Sequence, residues 1–384
     1  MSLHHSTRRA SGGYAPKWNI VRHLQVPTTS FCHLPTAQSM SDSFFRFQAQ
    51  QRFASLDGLR AFSILGVIWH HTAASVHGPF LGHVGAEGVS LFFAISGFLI
   101  TTLLLREQRR QGRVDLKAFY VRRSLRIFPL YYATLALYVL TIWVLERHSP
   151  VGRAFFENLP YFATYTSNLF VEIQGRVIFY FAWSLAAEEQ FYLIWPGLML
   201  LLGSRVRSAW ALVLLLGLSQ WAWASGHGAW AFLPSPLLAG ALLALLLDQP
   251  RSHAVLKRAL GWRGASMAWA LALGGALAWG EAPVLLLGGL FAILVGACVV
   301  REDHVLQPLL SWRPLAYLGT ISYGMYMLHM LCKNAVLKVL GFWGPTGDGG
   351  LVFAFTVLAA VLAASFSFRY FESWFLRRKT AFAR

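Results

Sequence analysis

From residue 51 onward the chain alternates between apolar stretches of about 18 residues and short polar breaks, and each stretch is roughly what an α-helix needs to cross about 30 Å of hydrocarbon. The alternating ten-residue strands of a closed barrel do not appear in the pattern. Ten spans are predicted, over residues 59–77, 87–105, 126–146, 183–202, 208–225, 230–247, 264–280, 282–300, 315–340 and 350–371. The fold class is therefore an all-α integral membrane protein, its helices gathered in one bundle. Residues 147–182, with the aromatic run AFFENLPYFATYTSNLF, lie between the third and fourth spans. They read as an outer-face loop, a re-entrant helix or an interfacial helix. Residues 1–50 mix Ser, Pro, His, Gly and Arg without an apolar core of signal-peptide length. They read as an N-terminal extension, disordered or upstream of a start at Met40, which leaves 51–384 as the transmembrane domain.

Composition agrees with this class, at 56% hydrophobic and 13% charged residues. The formal net charge of +17 does not point to nucleic acid, because the basic residues are divided among short loops. Alternate loops differ sharply in Lys and Arg. One side receives Arg106, Arg109, Arg110, Arg113, Lys117, Arg122, Arg123, Arg126 and most later cations; the other holds little beyond Arg147, Arg153, Arg176 and Lys338. Cytoplasmic loops carry such an excess, so both termini are expected in the cytoplasm. The three cysteines are widely separated, with neither a metal-ligand spacing nor a disulfide framework, and no metal site is expected.

Four stretches carry candidate chemistry. In LDGLRAFSILGVIWHHTAASVHG, Arg60 and His71 are eleven positions apart, which is about three turns and about 16 Å of rise on one helix face. His70 points about 80° away, and Asp57, three residues before Arg60, is placed to pair with it. An ionisable group inside a span marks a functional site, although a lone histidine also serves as a packing residue. In FYVRRSLRIFP, Arg123 and Arg126 sit on neighbouring turns; they anchor the membrane topology or clamp an anion, since planar guanidinium suits bidentate phosphate recognition. In WSLAAEEQFYLIWP, Ser184, Glu188 and Tyr192 form one polar stripe at i to i+4 spacing. Glu188 is placed to accept a hydrogen bond from His71, hold a sugar hydroxyl or tie helices together. In LGTISYGMYMLH, Ser322, Tyr326 and His329 fall near one face, suited to interhelical hydrogen bonds or to a contact with the acceptor. Arg369 and Glu372 read as an i to i+3 ion pair.

Taken in order, these stretches resemble the membrane acyltransferase-3 family, multi-pass acyltransferases that decorate bacterial surface sugars. The resemblance covers about residues 52–372. LDGLRAFSILGVIWHH is similar to the family's first helix, GVSLFFAISGFLIT to its second, FYVRRSLRIFPLYY to its Arg-x-x-Arg region and WSLAAEEQFYLIWP to its Ser-x-x-x-Glu-x-x-x-Tyr stripe. Ser90 departs from the acidic residue many members carry in the GV-x-LFF segment. The resemblance implies acyl transfer, most often acetyl, from cytoplasmic acyl-CoA to a hydroxyl of a glycan or glycolipid acceptor, in the bacterial cytoplasmic membrane. Arg60, Arg123 and Arg126 would hold CoA phosphates, and His71 would act as general base or as acyl-accepting nucleophile. Glu188 would orient or stabilise its imidazole, and Ser184 and Tyr192 would contact the acceptor or the thioester oxygen. Some relatives carry an extra C-terminal soluble domain, and here that step is expected within the bundle or on a partner. The competing reading is a transporter of a sugar-linked or anionic substrate along the same polar path.

Overall fold

The computed structural model describes residues 37–50, 52–73, 84–172, 175–226, 234–342 and 349–379. All its regular elements there are helical. In chain order they are α1 (Ala37–Ala49), α2 (Ala54–Thr72), α3 (Gly88–Gln111), α4 (Leu116–Leu145), α5 (Pro150–Ala163), α6 (Ser167–Phe170), α7 (Ala182–Leu202), α8 (Arg205–Ala224), α9 (Ser235–Leu247), α10 (Pro250–Leu260), α11 (Ala265–Trp279), α12 (Val284–Val299), α13 (Gln307–Leu310), α14 (Arg313–Gly341), α15 (Gly349–Phe366) and α16 (Ser373–Lys379), with a π-helical turn over Ser367–Glu372. A helix stands at each of the ten predicted segments. Three helical stretches, Val84–Gln111, Leu116–Leu145 and Gly349–Arg378, are long and apolar enough to cross a membrane; Ser235–Leu247, Ala265–Trp279 and Val284–Val299 are shorter apolar helices. The last predicted residues of the first span, 74–77, and the first of the sixth, 230–233, lie outside the described residues, as do 1–36.

Local chemistry sets the helix ends. Asp115 caps α4 by accepting the Ala118 amide at 2.9 Å, and the preceding Gly112, at φ 71°, ends α3 in the left-handed conformation that glycine adopts freely. Ser149 caps α5 at 2.9 Å, with Pro150 in the first helical position. The stretch 147–182 thus contains a 14-residue helix, about 21 Å long and too short to cross the hydrocarbon.

The bundle centre is held by backbone against backbone. A Cβ at Gly97 of α3 would overlap the Leu237 carbonyl of α9, and one at Gly240 of α9 would overlap the Ala94 carbonyl of α3. The same relation recurs between Gly319 of α14 and the Asp57 carbonyl of α2, and between Gly58 and the Leu310 backbone. Between apolar helices in lipid, such close approach supplies the van der Waals contact that a hydrophobic driving force does not. Gly88 of α3 stands in the same way against the Ser63 carbonyl of α2, so α2, α3, α9 and α14 are fixed to one another, and the functional side chains project from these helices, α4 and α7.

On the arginine-rich face, buried Asp248 at the end of α9 accepts from Arg109 of α3, Arg205 of α8 and, at 3.3 Å, Gln48 of α1. α1 thus packs on the bundle, with Phe47 buried and its carbonyl accepting from Arg106. This portion of the expected N-terminal extension is helical. The expected Arg369–Glu372 ion pair does not form. Those residues belong to the π-helical turn, whose i to i+5 hydrogen bonding removes the α-helical i to i+3 alignment. Glu372 instead accepts from Ser367 at 3.0 Å, and the Arg369 guanidinium lies 5.6 Å from the Tyr370 ring centre.

Gly97→Ala is expected to destabilise the detergent-purified protein by about 1–3 kcal/mol through overpacking, whereas Gly274→Ala, with nothing near the added methyl, is neutral or stabilising by up to about 1 kcal/mol. Thermal unfolding of the two variants side by side measures the difference. Equal midpoints would rule out the proposed backbone contact as a stabilising constraint.

Candidate functional site

The site is assembled along α4 and α14, which run beside each other. At one end, a cavity is lined by Arg60 of α2, Ser96 of α3, Arg123 and Arg126 of α4, Ser184 and Glu188 of α7, and Ser322, Tyr323 and Tyr326 of α14. The sequence pattern therefore brings Arg60, Arg123, Arg126, Ser184 and Glu188 to one cavity. A second space, of about 390 Å³, shares Arg123 and Arg126 and adds Arg106, Arg110 and Arg122, forming a cationic mouth. A third shares Arg60, Arg106 and Arg126. Arg126 lines all three.

Several groups hold these guanidiniums. Asp57 is buried and accepts from Arg60 at 3.3 Å through one oxygen and from Arg52 at 2.5 Å through the other, which is the pairing expected for Asp57. The Arg123 guanidinium lies 3.9 Å from the ring centre of Tyr192 and 4.0 Å from Glu188, and the Tyr192 hydroxyl donates to the same Glu188 oxygen. The stripe thus works as a unit, with Tyr192 beneath the arginine and Glu188 beside it. Glu372, an electrostatic partner of Arg126, also belongs to this end. No i to i+4 pattern marks it, because it comes from the π-helical turn.

Where the first cavity ends, hydroxyls close it. Ser184 Oγ and Tyr326 Oη lie 2.6 Å apart, and the Phe181 carbonyl is 3.2 Å from the former and 2.9 Å from the latter. Behind Tyr326 stands His329, fully buried, its Nδ1 2.6 Å from the Tyr326 carbonyl. His71 stacks on it, ring centres 5.1 Å apart and planes inclined by 18°. His71 Nδ1 is also 3.0 Å from the Tyr180 hydroxyl. His329 Nε2 has no hydrogen-bond partner among the described residues.

The expected contact between Glu188 and His71 is absent: Glu188 is engaged by Arg123 and Tyr192, while His71 meets Tyr180, His329 and His70. A carboxylate beside a guanidinium and a phenol gains charge-assisted hydrogen bonds that a neutral imidazole does not offer. His70 contacts His71 edge-on at 4.9 Å, and its Cβ faces Gly85, so the two histidines do point to different neighbours. Tyr180 had no motif to betray it. It follows Phe179, whose φ of 64° is strained for a bulky side chain and turns the chain into α7. Among the described residues no group of three or more His, Cys, Asp or Glu is placed to hold a metal ion.

A membrane-embedded helical bundle with arginines at one end and a histidine pair at its centre defines the class. Over residues 53–370 the chain matches the family model described as an acyltransferase domain, Acyl_transf_3, and it belongs to that family, the membrane acyltransferase-3 proteins. Among curated proteins it is similar to "Putative peptidoglycan O-acetyltransferase YrhL" of Bacillus subtilis (strain 168), 32% identical over 321 residues that cover 74% of this chain and 49% of that one. It is also similar to "Peptidoglycan O-acetyltransferase OatA" of Listeria monocytogenes serovar 1/2a, 29% identical over 353 residues covering 83% and 55% respectively. The chain spans about half the length of the curated relatives it matches. No solved structure matches it.

Arg123→Lys keeps the charge but loses the planar stack on Tyr192. It is expected to cost about 0.5–2 kcal/mol of stability, and a double-mutant cycle with Tyr192→Leu is expected to give a coupling of at least about 0.5 kcal/mol. Additive effects in that cycle would mean the stacked pair contributes nothing to stability.

Proposed function

We propose that this chain is a ten-span enzyme of the bacterial cytoplasmic membrane, with both termini in the cytoplasm, and that residues 51–384 form its acyltransferase domain. It moves an acyl group, acetyl in the first instance, from cytoplasmic acyl-CoA to a hydroxyl of a glycan or glycolipid. The single observation that carries this reading is the order of parts along α4 and α14: an arginine-lined cavity, a hydroxyl barrier, then a stacked histidine pair. The names of the relatives support O-acetylation of a peptidoglycan glycan. They favour that acceptor over lipopolysaccharide, and family membership replaces the transporter reading.

In this reading the phosphates of CoA lie in the cationic mouth, contacted by Arg123 and Arg126, with Arg60 further in. Guanidinium groups give bidentate contacts to phosphate. The pantetheine arm enters the first cavity and, as the Ser184–Tyr326 hydroxyl pair parts, presents its thioester toward His71. Their hydroxyls are placed to donate to the carbonyl oxygen as it gains negative charge. Glu188 keeps Arg123 and Tyr192 in position and acts through them, with the acceptor hydroxyl contacts falling to Ser184 and the histidine side.

His71 removes the proton from the acceptor hydroxyl as that oxygen attacks the thioester carbon. The C–S bond breaks, the ester forms, and the proton passes from His71 to the departing thiolate, releasing CoA as its thiol. The nucleophilic alternative, in which His71 itself takes the acyl group and then yields it to the acceptor, balances equally. Tyr180 and His329 fix the imidazole orientation in either case.

Purified protein given radiolabelled acetyl-CoA and peptidoglycan glycan strands is expected to release CoA and label the glycan. His71→Ala lowers that rate at least about 100-fold with folding retained, while His70→Ala retains most of it. Arg126→Ala raises the donor KM about tenfold, the loss of roughly one charged contact. Unaltered turnover in His71→Ala removes this histidine from the mechanism.

A further inference from the structure

Beyond the histidine pair lies a second large cavity, about 940 Å³, between the far half of α4, the segment 175–181 and the far half of α14. Tyr180 lines it and hydrogen-bonds His71, so this space reaches the pair from the side opposite the arginine cavity. Its charged residues are Glu146, Arg176, Lys333 and Lys338. Arg176 spends its charge on Glu146 through two hydrogen bonds, 3.1 and 3.3 Å. Lys338, at the outer end of α14, is exposed.

Lys333 is different. It follows His329 by four residues on α14, which sets it on the same face one turn farther out, about 6 Å along the axis. It is only partly exposed, and its ammonium has no hydrogen-bond or ion-pair partner among the described residues. A half-buried cation without a counter-ion is costly, and a bound anion removes that cost. The loop-by-loop count of cations passes over Lys333, which lies deeper in the predicted span over residues 315–340 than Lys338 does.

We infer that this second cavity is the acceptor port and that Lys333 selects an acceptor carrying a carboxylate or phosphate next to the hydroxyl that is acylated. The inference rests on the acyltransferase reading for what happens to the bound sugar, but the binding selectivity stands without it. The carboxylate or phosphate pairs with the Lys333 ammonium, Asn334 supplies an amide at the rim, and the neighbouring hydroxyl is presented toward Tyr180 and His71. A neutral glycan fills the same space without discharging the cation.

The test compares two tetrasaccharides of equal length on the full chain in phospholipid-free maltoside micelles. One alternates N-acetylglucosamine with N-acetylmuramic acid, which bears a carboxylate; the other is neutral chitotetraose. Equilibrium binding by thermophoresis is expected to favour the acidic sugar about tenfold at low salt, with the ratio shrinking as salt screens the charge. K333M brings the ratio to about one, and K333R keeps most of it. Equal binding of the two sugars by the wild type, or an unchanged ratio in K333M, overturns the inference, and the wild-type comparison holds even where a variant folds poorly. Added phosphatidylglycerol separates the two sources of anion. The preference survives it if Lys333 serves the sugar, and its loss would assign Lys333 to lipid phosphate. Because binding is read without turnover, selective binding without acyl transfer sinks the enzymatic reading alone, and transfer without selectivity sinks only this one.

Discussion

Guanidinium charges inside an apolar bundle are the constraint around which the rest of the structure is arranged. Arg60, Arg123 and Arg126 all face one cavity, and each is too costly to leave in hydrocarbon without compensation. Asp57 answers Arg60, while the Glu188–Tyr192 unit answers Arg123. Arg60 and its partner both lie on α2, whereas Arg123 lies on α4 and the Glu188–Tyr192 unit on α7, so this second pairing ties the facing of α4 to that of α7. The packing of α14 on α2 through Gly319 then determines which part of α14 meets the end of the cavity, and so brings Tyr326 and His329 to their places.

The same constraint divides the polar side chains into two groups. Near the arginines, hydrogen bonds involve charged partners, and the geometry is that of an anion site. Around His71 the neighbours are rings and hydroxyls: His329 stacked at 5.1 Å, Tyr180 at 3.0 Å, and Phe181 edge-on to His329 at 5.3 Å. These contacts hold the His71 ring in one orientation.

How much of this could be read from residues alone depended on whether one helix or two were involved. The helix positions follow from hydrophobic length, and the shared face of Ser184, Glu188 and Tyr192 follows from the i to i+4 rule within α7. The Asp57–Arg60 pair is equally local. The partner of His71 was not local. Glu188 looked available, but a carboxylate in reach of Arg123 turns to the charge. His329 was visible as part of a polar face, yet its stacking on His71 depends on how closely Gly319 lets α14 approach the Asp57 carbonyl. Tyr180 precedes α7 in a left-handed turn that no periodicity announces. The π-helical turn at residues 367–372 defeated the one pairing argued from α-helical spacing near the C-terminal end of the bundle.

The hydroxyl knot of Ser184, Tyr326 and the Phe181 carbonyl has a consequence for the membrane as an electrical barrier. The two cavities approach the histidines from opposite ends of α4, and the knot and the Tyr326–His329 packing stand between them. A bundle with wide water-accessible spaces on both sides would otherwise short-circuit the ion gradients that the membrane exists to hold. With the knot closed, a group delivered from one side is handed over at a single point, among rings and paired hydroxyls.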